Sequence, residues 1–523
     1  MKMLRLDVAA NYDMKHVKSH TLRLSALLIA LICMLLYLIV QFFMTAKGVH
    51  QRPRTEGENI DRELRVYALA TLEQPLEPFQ LREYSIRLRM YGRLFDKYEM
   101  EHPEYLRRVR NLVSSDARND SSNASSMQQP PITASNRYPG SPILWKLEHD
   151  LFPWAHQNFT SLLELKQSYT GRGLIITTGS RYVNMSVHLI RHLRYLRFPH
   201  PIIIYYNGPH DLKPWELEFL KGLQVPVFDL SKTFNVTGVS KYFNKVFSLL
   251  ASPFEEVIIS DADNVFIQSP DVLFDDPGYI SAGMLLFKDR HIPDDGHCKK
   301  QRAWMNANLP QPLSTQLCES RIYKMHSKHD IESGVVVVNK RRRFLTLLAA
   351  SHMNTENNFG KIIGGLFLGD KETFIIGADI ANQTWSDTEY CLGYISPGQL
   401  FKGRIVGKED LVDGKMAHFD RKGNLIWFQP SVCTSKHSHE GLRSLYNMTY
   451  YARGPSCNDD NRPHEAIKIK GELKKRLDDI AELYVPEVEN TLTEFDHPSE
   501  WNGTYPEQKL RVNMKKLKVK VFR

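Results

Sequence analysis

What most constrains this chain is a set of short, unbroken apolar runs, each about as long as one strand. They are Gly173-Leu174-Ile175-Ile176-Thr177-Thr178-Gly179, Pro201-Ile202-Ile203-Ile204-Tyr205-Tyr206, Val257-Ile258-Ile259 and Val335-Val336-Val337-Val338, with a shorter run at Val225-Pro226-Val227-Phe228. A strand with one face in water alternates apolar and polar residues; runs like these need cover on both faces. Between them, residues 183–197 place Leu189, Leu193 and Leu196 on one side of a helix, and residues 213–223 form the next helix. Repeated strand and helix argue for an α/β fold with a parallel sheet of the nucleotide-binding type. The G-x-G-x-x-G loop is absent, which disfavours a dinucleotide.

One run ends in charge. In Glu255-Glu256-Val257-Ile258-Ile259-Ser260-Asp261-Ala262-Asp263-Asn264 the carboxylates of Asp261 and Asp263 stand two apart, so in an extended segment they share a face. Hard oxygen ligands suit Mg²⁺ or Mn²⁺, which keep positions open for phosphates. Ligand crevices in open α/β sheets lie beyond the carboxyl ends of the strands. A metal-diphosphate site is therefore expected here; the competing readings are a solvated strand end or a calcium-stabilised turn. Just upstream, a helix over 242–252 brings Lys245 within reach of a phosphate oxygen. Thr178 and Gly179, after the first strand, are expected near the nucleotide, although Gly179 also suits a tight turn.

The formal charge of +9 alone would admit a nucleic-acid partner, but the N-terminus points to a membrane. Residues 24–46 are 23 positions without a formal charge, roughly 35 Å as a helix. Lys2, Arg5, Lys15, Lys18 and Arg23 precede it, which predicts a type II signal anchor with residues 1–23 in the cytosol and the rest luminal. The run is too long for a cleaved signal peptide and lacks a small-x-small site. All eight Asn-x-Ser/Thr sequons follow it, at Asn119, Asn123, Asn158, Asn184, Asn235, Asn382, Asn447 and Asn502, as glycosylation in a lumen requires. Five cysteines lie beyond the anchor without a C-x-x-C pair, so disulfides are expected, Cys298 with Cys318 by proximity.

Residues 47–113 read as a helical stem, with Tyr84, Leu88, Tyr91 and Phe95 forming a stripe that packs on itself or on the body. Residues 114–142, rich in Ser, Asn and Pro, read as a flexible linker, and 143–523 as the catalytic body. Lys340-Arg341-Arg342-Arg343 and the tail from 509 read as a solvated face or a lysine-protected edge strand rather than an anion site.

The order of these segments resembles a known family. Lys245 ahead of Phe254 to Asp263, then Leu286-Phe287-Lys288-Asp289-Arg290, Glu332-Ser333-Gly334-Val335-Val336 and Gly369-Asp370-Lys371-Glu372, looks like the fungal mannan α-1,3-mannosyltransferases and their α-1,2-mannosyltransferase relatives, over about residues 145 to 430. The resemblance implies a GT-A-like fold, a Rossmann-like sheet with flanking helices. It also implies GDP-mannose as donor, a mannoside of N- or O-linked glycans as acceptor, Mn²⁺ dependence and a Golgi membrane location. One departure is Ile375-Ile376, where the family commonly carries a Trp.

Related metal-dependent glycosyltransferases place a His shortly before a Gly and a Trp, and His418, Gly423 and Trp427 copy that layout, so His418 is the third candidate metal ligand. Asp370 and Glu372 open a helix. They either cap it or meet the sugar near its anomeric carbon. An α-linked product from an α-linked donor implies retention, through a carboxylate nucleophile or by front-side attack. A UDP-sugar donor, a non-catalytic glycan-binding protein, and homo- or hetero-oligomers all remain compatible with the sequence.

Overall fold

A computed structural model describes residues 80–102, 141–156, 161–234, 244–292, 296–355, 369–388, 392–396, 415–430 and 465–484, with short pieces between them. All fall in one compact unit, residues 68–523. Among the described residues no helix is long and apolar enough to cross a membrane. The expected anchor at 24–46, the tail before it and nearly all of the linker at 114–142 lie outside them. So do the sequons Asn119, Asn123, Asn158, Asn235, Asn447 and Asn502. Of the other two, Asn184 is half-buried in a helix, and Asn382 is exposed in a left-handed turn at φ 52°.

The strands in chain order are β1 Arg172–Thr177, β2 Ile202–Tyr206, β3 Val227–Asp229, β4 Glu256–Asp261, β5 Val265–Phe266, β6 Met284–Lys288, β7 Ile331–Asn339, β8 Ser386–Asp387, β9 Gly393–Ser396, β10 Leu400–Phe401, β11 Arg404–Ile405, β12 Lys415–Phe419, β13 Leu425–Gln429, β14 Tyr450–Arg453 and β15 Glu465–Lys468. The helices are α1 Leu81–Glu101, α2 Pro142–Leu151, α3 Leu162–Ser168, α4 Val183–Tyr195, α5 Pro214–Lys221, α6 Asn244–Ala251, α7 Pro277–Ala282, α8 His297–Asn308, α9 Thr315–Cys318, α10 Phe344–Met353, α11 Thr373–Ile380 and α12 Gly471–Glu482.

Seven strands form the main sheet in the order β3-β2-β1-β4-β7-β6-β8. The half from β3 to β4 is parallel, as the apolar runs predict. The other half corrects that expectation: β7 runs antiparallel to both β4 and β6, so the sheet is mixed. Covered on both faces, β1, β4 and β7 are buried almost end to end, with Leu174, Ile176, Ile258, Val335 and Val337 in one core cluster with Leu189 and Leu193 of α4. A second, antiparallel sheet runs β15-β14-β9-β12-β13-β5. The chain passes from the first sheet to the second between β4 and β5, so Asp261 and Asp263 sit at the corner where the two meet.

α1 lies in the stretch expected to be a stem, and of the two packings expected for its stripe the structure shows the one against the body. Its stripe of Tyr84, Leu88, Tyr91 and Phe95 is buried against the body. Tyr84 stacks on His352 with ring centroids 3.6 Å apart, and Phe95 meets Phe344 at 6.0 Å. Arg89 donates to the carbonyls of Asp379 and Ile380 at 2.8 Å each, satisfying the open C-terminal end of α11. The Tyr91 hydroxyl donates at 2.9 Å to Glu148, a fully buried carboxylate that also accepts from the Leu162 amide at 3.1 Å. This helix is part of the folded body, because its apolar stripe has no other cover.

Two smaller expectations also change. No disulfide joins Cys298 to Cys318. The basic run at 340–343 is a solvated face only in part, with Arg342 exposed and Arg341 and Arg343 half-buried. Lys340 is buried, donating to the Leu249 and Ser252 carbonyls at 2.8 and 2.5 Å, where it closes the end of α6; Arg341 donates to the Tyr169 carbonyl at 2.7 Å. The tail from 509 lies outside the described residues.

If α1 is core, Phe95→Ala removes buried area and leaves a cavity, and should lower stability by about 3–5 kcal/mol. Urea denaturation measures this; a loss below about 1 kcal/mol would return α1 to the role of an appended stem.

Candidate functional site

Strand register gathers the candidate residues at one edge of the main sheet. Thr177 pairs with Asp261, so Thr178 and Gly179 leave β1 level with the acidic turn. Because β7 is antiparallel, it starts at the same edge: Ser260 pairs with Val335, and Glu332 and Ser333 stand just beyond. Phe287 pairs with Glu332 in turn, which carries Asp289 to that edge as well. The turn at 369–372, leading into α11, brings in Asp370.

At the centre is Lys245, in the first turn of α6. Its ammonium lies 3.0 Å from Asp261 Oδ1 and 3.7 Å from Asp370 Oδ1. It donates at 2.9 Å to both the carbonyl and the hydroxyl of Ser333, whose Oγ donates to Asp370 Oδ1 at 3.2 Å. Burial opposes the charge on Lys245, but Asp261, Asp370 and Glu332 hold it protonated. Burial pushes the Asp261 carboxyl up; Lys245 pulls it back, Asp263 and Asp370 add to the rise, and it comes to about 7. Burial likewise raises Asp370 against the pull of Lys245. Among the described residues Lys245 faces Asp261 and Asp370, while Lys371 pairs with Glu332 and Asp289 beside them.

Asn264 and Gly334 shape the corner. The Asn264 amide donates to the Ser260 hydroxyl at 3.0 Å and the Gly334 carbonyl at 2.5 Å, stapling the acidic turn to β7. A Cβ on Gly334 would come within 2.9 Å of Gln429 Oε1 and 3.1 Å of the Trp427 ring, so only glycine lets the second sheet close on the turn. Gly179 is needed for a similar reason. Its φ of −161° is ordinary extended backbone, but a Cβ would lie 2.5 Å from the Asp211 carboxylate. Thr178 is buried, and its hydroxyl accepts from Ser186 at 2.7 Å.

Asp370 and Glu372, only two apart in sequence, go to different partners. Glu372 is fully buried; it accepts from the Asp330 amide at 3.2 Å and lies 3.6 Å from His329 Nδ1, so its contacts tie α11 to the start of β7. His418 is also buried, stacked on Trp427 with centroids 3.9 Å apart and edge-on to Phe287 at 5.5 Å. Burial drives its imidazole down to about 3 against the pull of Glu332, which leaves it neutral, and its Nε2 has no hydrogen-bond partner among the described residues. Among those residues no three His, Cys, Asp or Glu side chains stand close enough to hold a metal ion, so His418 does not complete a preformed set with Asp261 and Asp263. The donor set is still of the right kind: carboxylate oxygens in excess of positive charge, beside a neutral imidazole.

Sequence reasoning gave no role to Ser333, Asn264 or Lys371. The motif Glu332-Ser333-Gly334 was the available signal for the first, but the partner of its serine comes from the turn at 369–372, 37 residues away.

Residues 171–420 match the family described as "Mannosyltransferase putative". That span holds Thr178, Gly179, Lys245, Asp261, Asp263, Asp370, Glu372 and His418. Alpha-1,3-mannosyltransferase MNT2 of Saccharomyces cerevisiae is 24% identical over 341 residues, 57% of this chain and 58% of its own. Alpha-1,3-mannosyltransferase MNT3 of the same yeast is 26% identical over 305 residues, 51% of this chain and 48% of its own. The chain is similar to these fungal alpha-1,3-mannosyltransferases. It spans about half the length of the curated relatives it matches. The solved structure of mouse xyloside xylosyltransferase 1 aligns over 40% of this chain and 81% of its own at 13% identity, with a TM-score of 0.26, too low to place any residue. α1, whose Arg89 holds the C-terminal end of α11, lies outside the span that the family matches.

Two outcomes follow from the geometry. Asp261 has a raised folded-state pKa, so between about pH 4 and pH 7 the folded state keeps a proton that the unfolded chain releases. The ligand-free protein should lose stability as pH rises through that window, by up to about 1.4 kcal/mol per pH unit, and Asp261→Asn should remove that slope. Melting curves at pH 4.5 to 7.5 measure it; parallel profiles for wild type and variant would contradict the assignment. Separately, Asp370→Asn should leave the melting temperature near wild type and reduce transfer at least about 100-fold. Glu372→Gln should do the reverse, lowering stability by about 1–3 kcal/mol with transfer largely kept.

Proposed function

We propose that this chain is a GT-A-like mannosyltransferase that moves mannose from GDP-mannose to a mannoside of N- or O-linked glycans, forming an α-1,3 linkage with retention. The observation that carries the reading is the cluster of Lys245, Asp261, Ser333 and Asp370 at the carboxyl edge of the parallel strands, inside the span that matches a mannosyltransferase family. The α-1,3 linkage is supported by the names of the relatives. Asp261 and Asp263 would hold Mn²⁺ or Mg²⁺, with His418 as a neutral nitrogen ligand if the corner closes on the donor. Such an ion, when bound, offsets the charge that develops on a departing diphosphate.

The chain's own residues account for the rest. Lys245, held protonated beside Asp261, stands ready for a phosphate oxygen. Asp370 is the carboxylate placed on the donor side, oriented by the Ser333 hydroxyl. It is the group that would meet the sugar, as nucleophile or as stabiliser of positive charge during front-side attack. Thr178, Gly179 and the end of β1 would line the nucleotide side. The reading includes a Golgi location, with the body luminal behind the type II anchor at 24–46.

The test is incubation of the purified protein with GDP-mannose, Mn²⁺ and a panel of mannobioses, followed by linkage analysis. An α-1,3-linked product is expected, with Asp261→Asn and Asp263→Asn each lowering kcat by about 10²–10³ while the fold is retained. Turnover of a UDP-sugar instead, or acceptor binding without release of GDP, would overturn the proposal.

A further inference from the structure

We propose that Lys371 is a positioning residue for the transfer: it fixes Asp370 and Ser333 in place by gripping Asp289 and Glu332, without touching the substrate. The inference rests on the transferase reading and adds a residue that the reading does not use.

The Lys371 ammonium lies 2.8 Å from Asp289 Oδ2 and 2.6 Å from Glu332 Oε2. The lysine side chain is 16% exposed, and the two carboxylates 0% and 4%. The remaining oxygens are also used: Glu332 Oε1 accepts from the Gly334 amide at 3.0 Å, and Asp289 Oδ1 from the Arg290 amide at 2.6 Å. One ammonium therefore ties three separate segments, the end of β6, the start of β7 and the turn before α11. Two of its anchor points have a site residue as immediate neighbour. Asp370 precedes Lys371, and Ser333 follows Glu332, so each stands one Cα step, about 3.8 Å, from a fixed point. The hydrogen bond from Ser333 Oγ to Asp370 Oδ1 closes the loop between them.

The knot is braced from behind. Arg321 donates to the Asp289 carbonyl at 2.8 Å and the Asp330 carbonyl at 2.7 Å, and Lys288 bridges Asp330 and Asp387 at 3.0 and 2.8 Å. This second group of paired charges joins the knot through the Asp289 backbone carbonyl, which accepts from Arg321. Turning Lys371 toward a phosphate would strand two buried carboxylates, which argues against direct donor binding. As a means of stability alone an apolar cluster would serve as well, so the value of the knot lies in geometry.

The test compares Lys371→Arg, Lys371→Met and a neutral triple variant, Lys371→Met with Glu332→Gln and Asp289→Asn, in which no buried charge is left alone. Kinetics with GDP-mannose should show kcat about 100-fold down in both Met-containing variants with donor KM within about threefold of wild type, and Arg should restore kcat to within about fivefold. A folded triple variant with wild-type kcat would mean that the knot is only structural. A donor KM raised tenfold or more at unchanged kcat would mean that Lys371 binds the donor itself. If neither Met-containing variant folds, the knot is a folding element and the inference fails. Should the wild type prove inert toward GDP-mannose, the functional reading fails first. The positioning claim is then judged from a crystal structure of the triple variant, where the Ser333 Oγ to Asp370 Oδ1 separation of 3.2 Å should open beyond hydrogen-bond range; an unchanged distance would overturn it.

Discussion

The site depends on one lysine facing several acids inside the protein. Lys245 reaches Asp261, Asp370 and Ser333 at once, and these three belong to parts of the chain that meet only because β7 is antiparallel. If β7, nine residues long, ran parallel to β4, its Glu332-Ser333 end would lie at the opposite edge of the sheet, roughly 26 Å away. The acidic turn would then face a sheet edge without partners. Strand direction is therefore the fold's largest contribution to the chemistry, ahead of any single side chain.

A second contribution comes from the corner. The chain turns at Asp261 to Asn264 and enters β5, so the same few residues end one sheet and begin the other. Packing of Trp427 and Gln429 onto Gly334 brings the second sheet against the acidic turn and places the His418–Trp427 stack nearby. From the far side, α1 holds α11 by its C-terminal carbonyls through Arg89, while the turn before α11 presents Asp370. A segment that precedes the main body in sequence thus supports the element that carries a site carboxylate.

Much of this was legible in the sequence, for definite reasons. Unbroken apolar runs with helices between them imply a covered sheet, and a D-x-D pair at the end of such a run is placed by the rule for crevices in open sheets. The hairpin carrying His418 was legible from Gly423, which sits at φ 80° between β12 and β13. The direction of β7 was not, because an apolar run looks the same read either way. The stripe on α1 declared a buried face without naming its partner, since Phe344 and His352 lie some 250 residues further on. Proximity in sequence misled for Cys298 and Cys318, while the separate partners to which the turn sends Asp370 and Glu372 were not legible.

The residues that escaped notice share a property. Lys371, Ser333 and Asn264 have ordinary local context, and their roles exist only as pairings across the sheet edge. Burying so many charges is unfavourable unless each is paired, and every lost partner leaves its mate exposed to that penalty. The arrangement therefore has few alternatives of similar energy: shifting one carboxylate breaks a contact with a lysine that another carboxylate needs. A site assembled in this way resists small displacements, which is what in-place stabilisation of a charged transition state requires. The burden on stability is met by the apolar strands beneath it, where β1, β4 and β7 contribute side chains that are almost wholly buried.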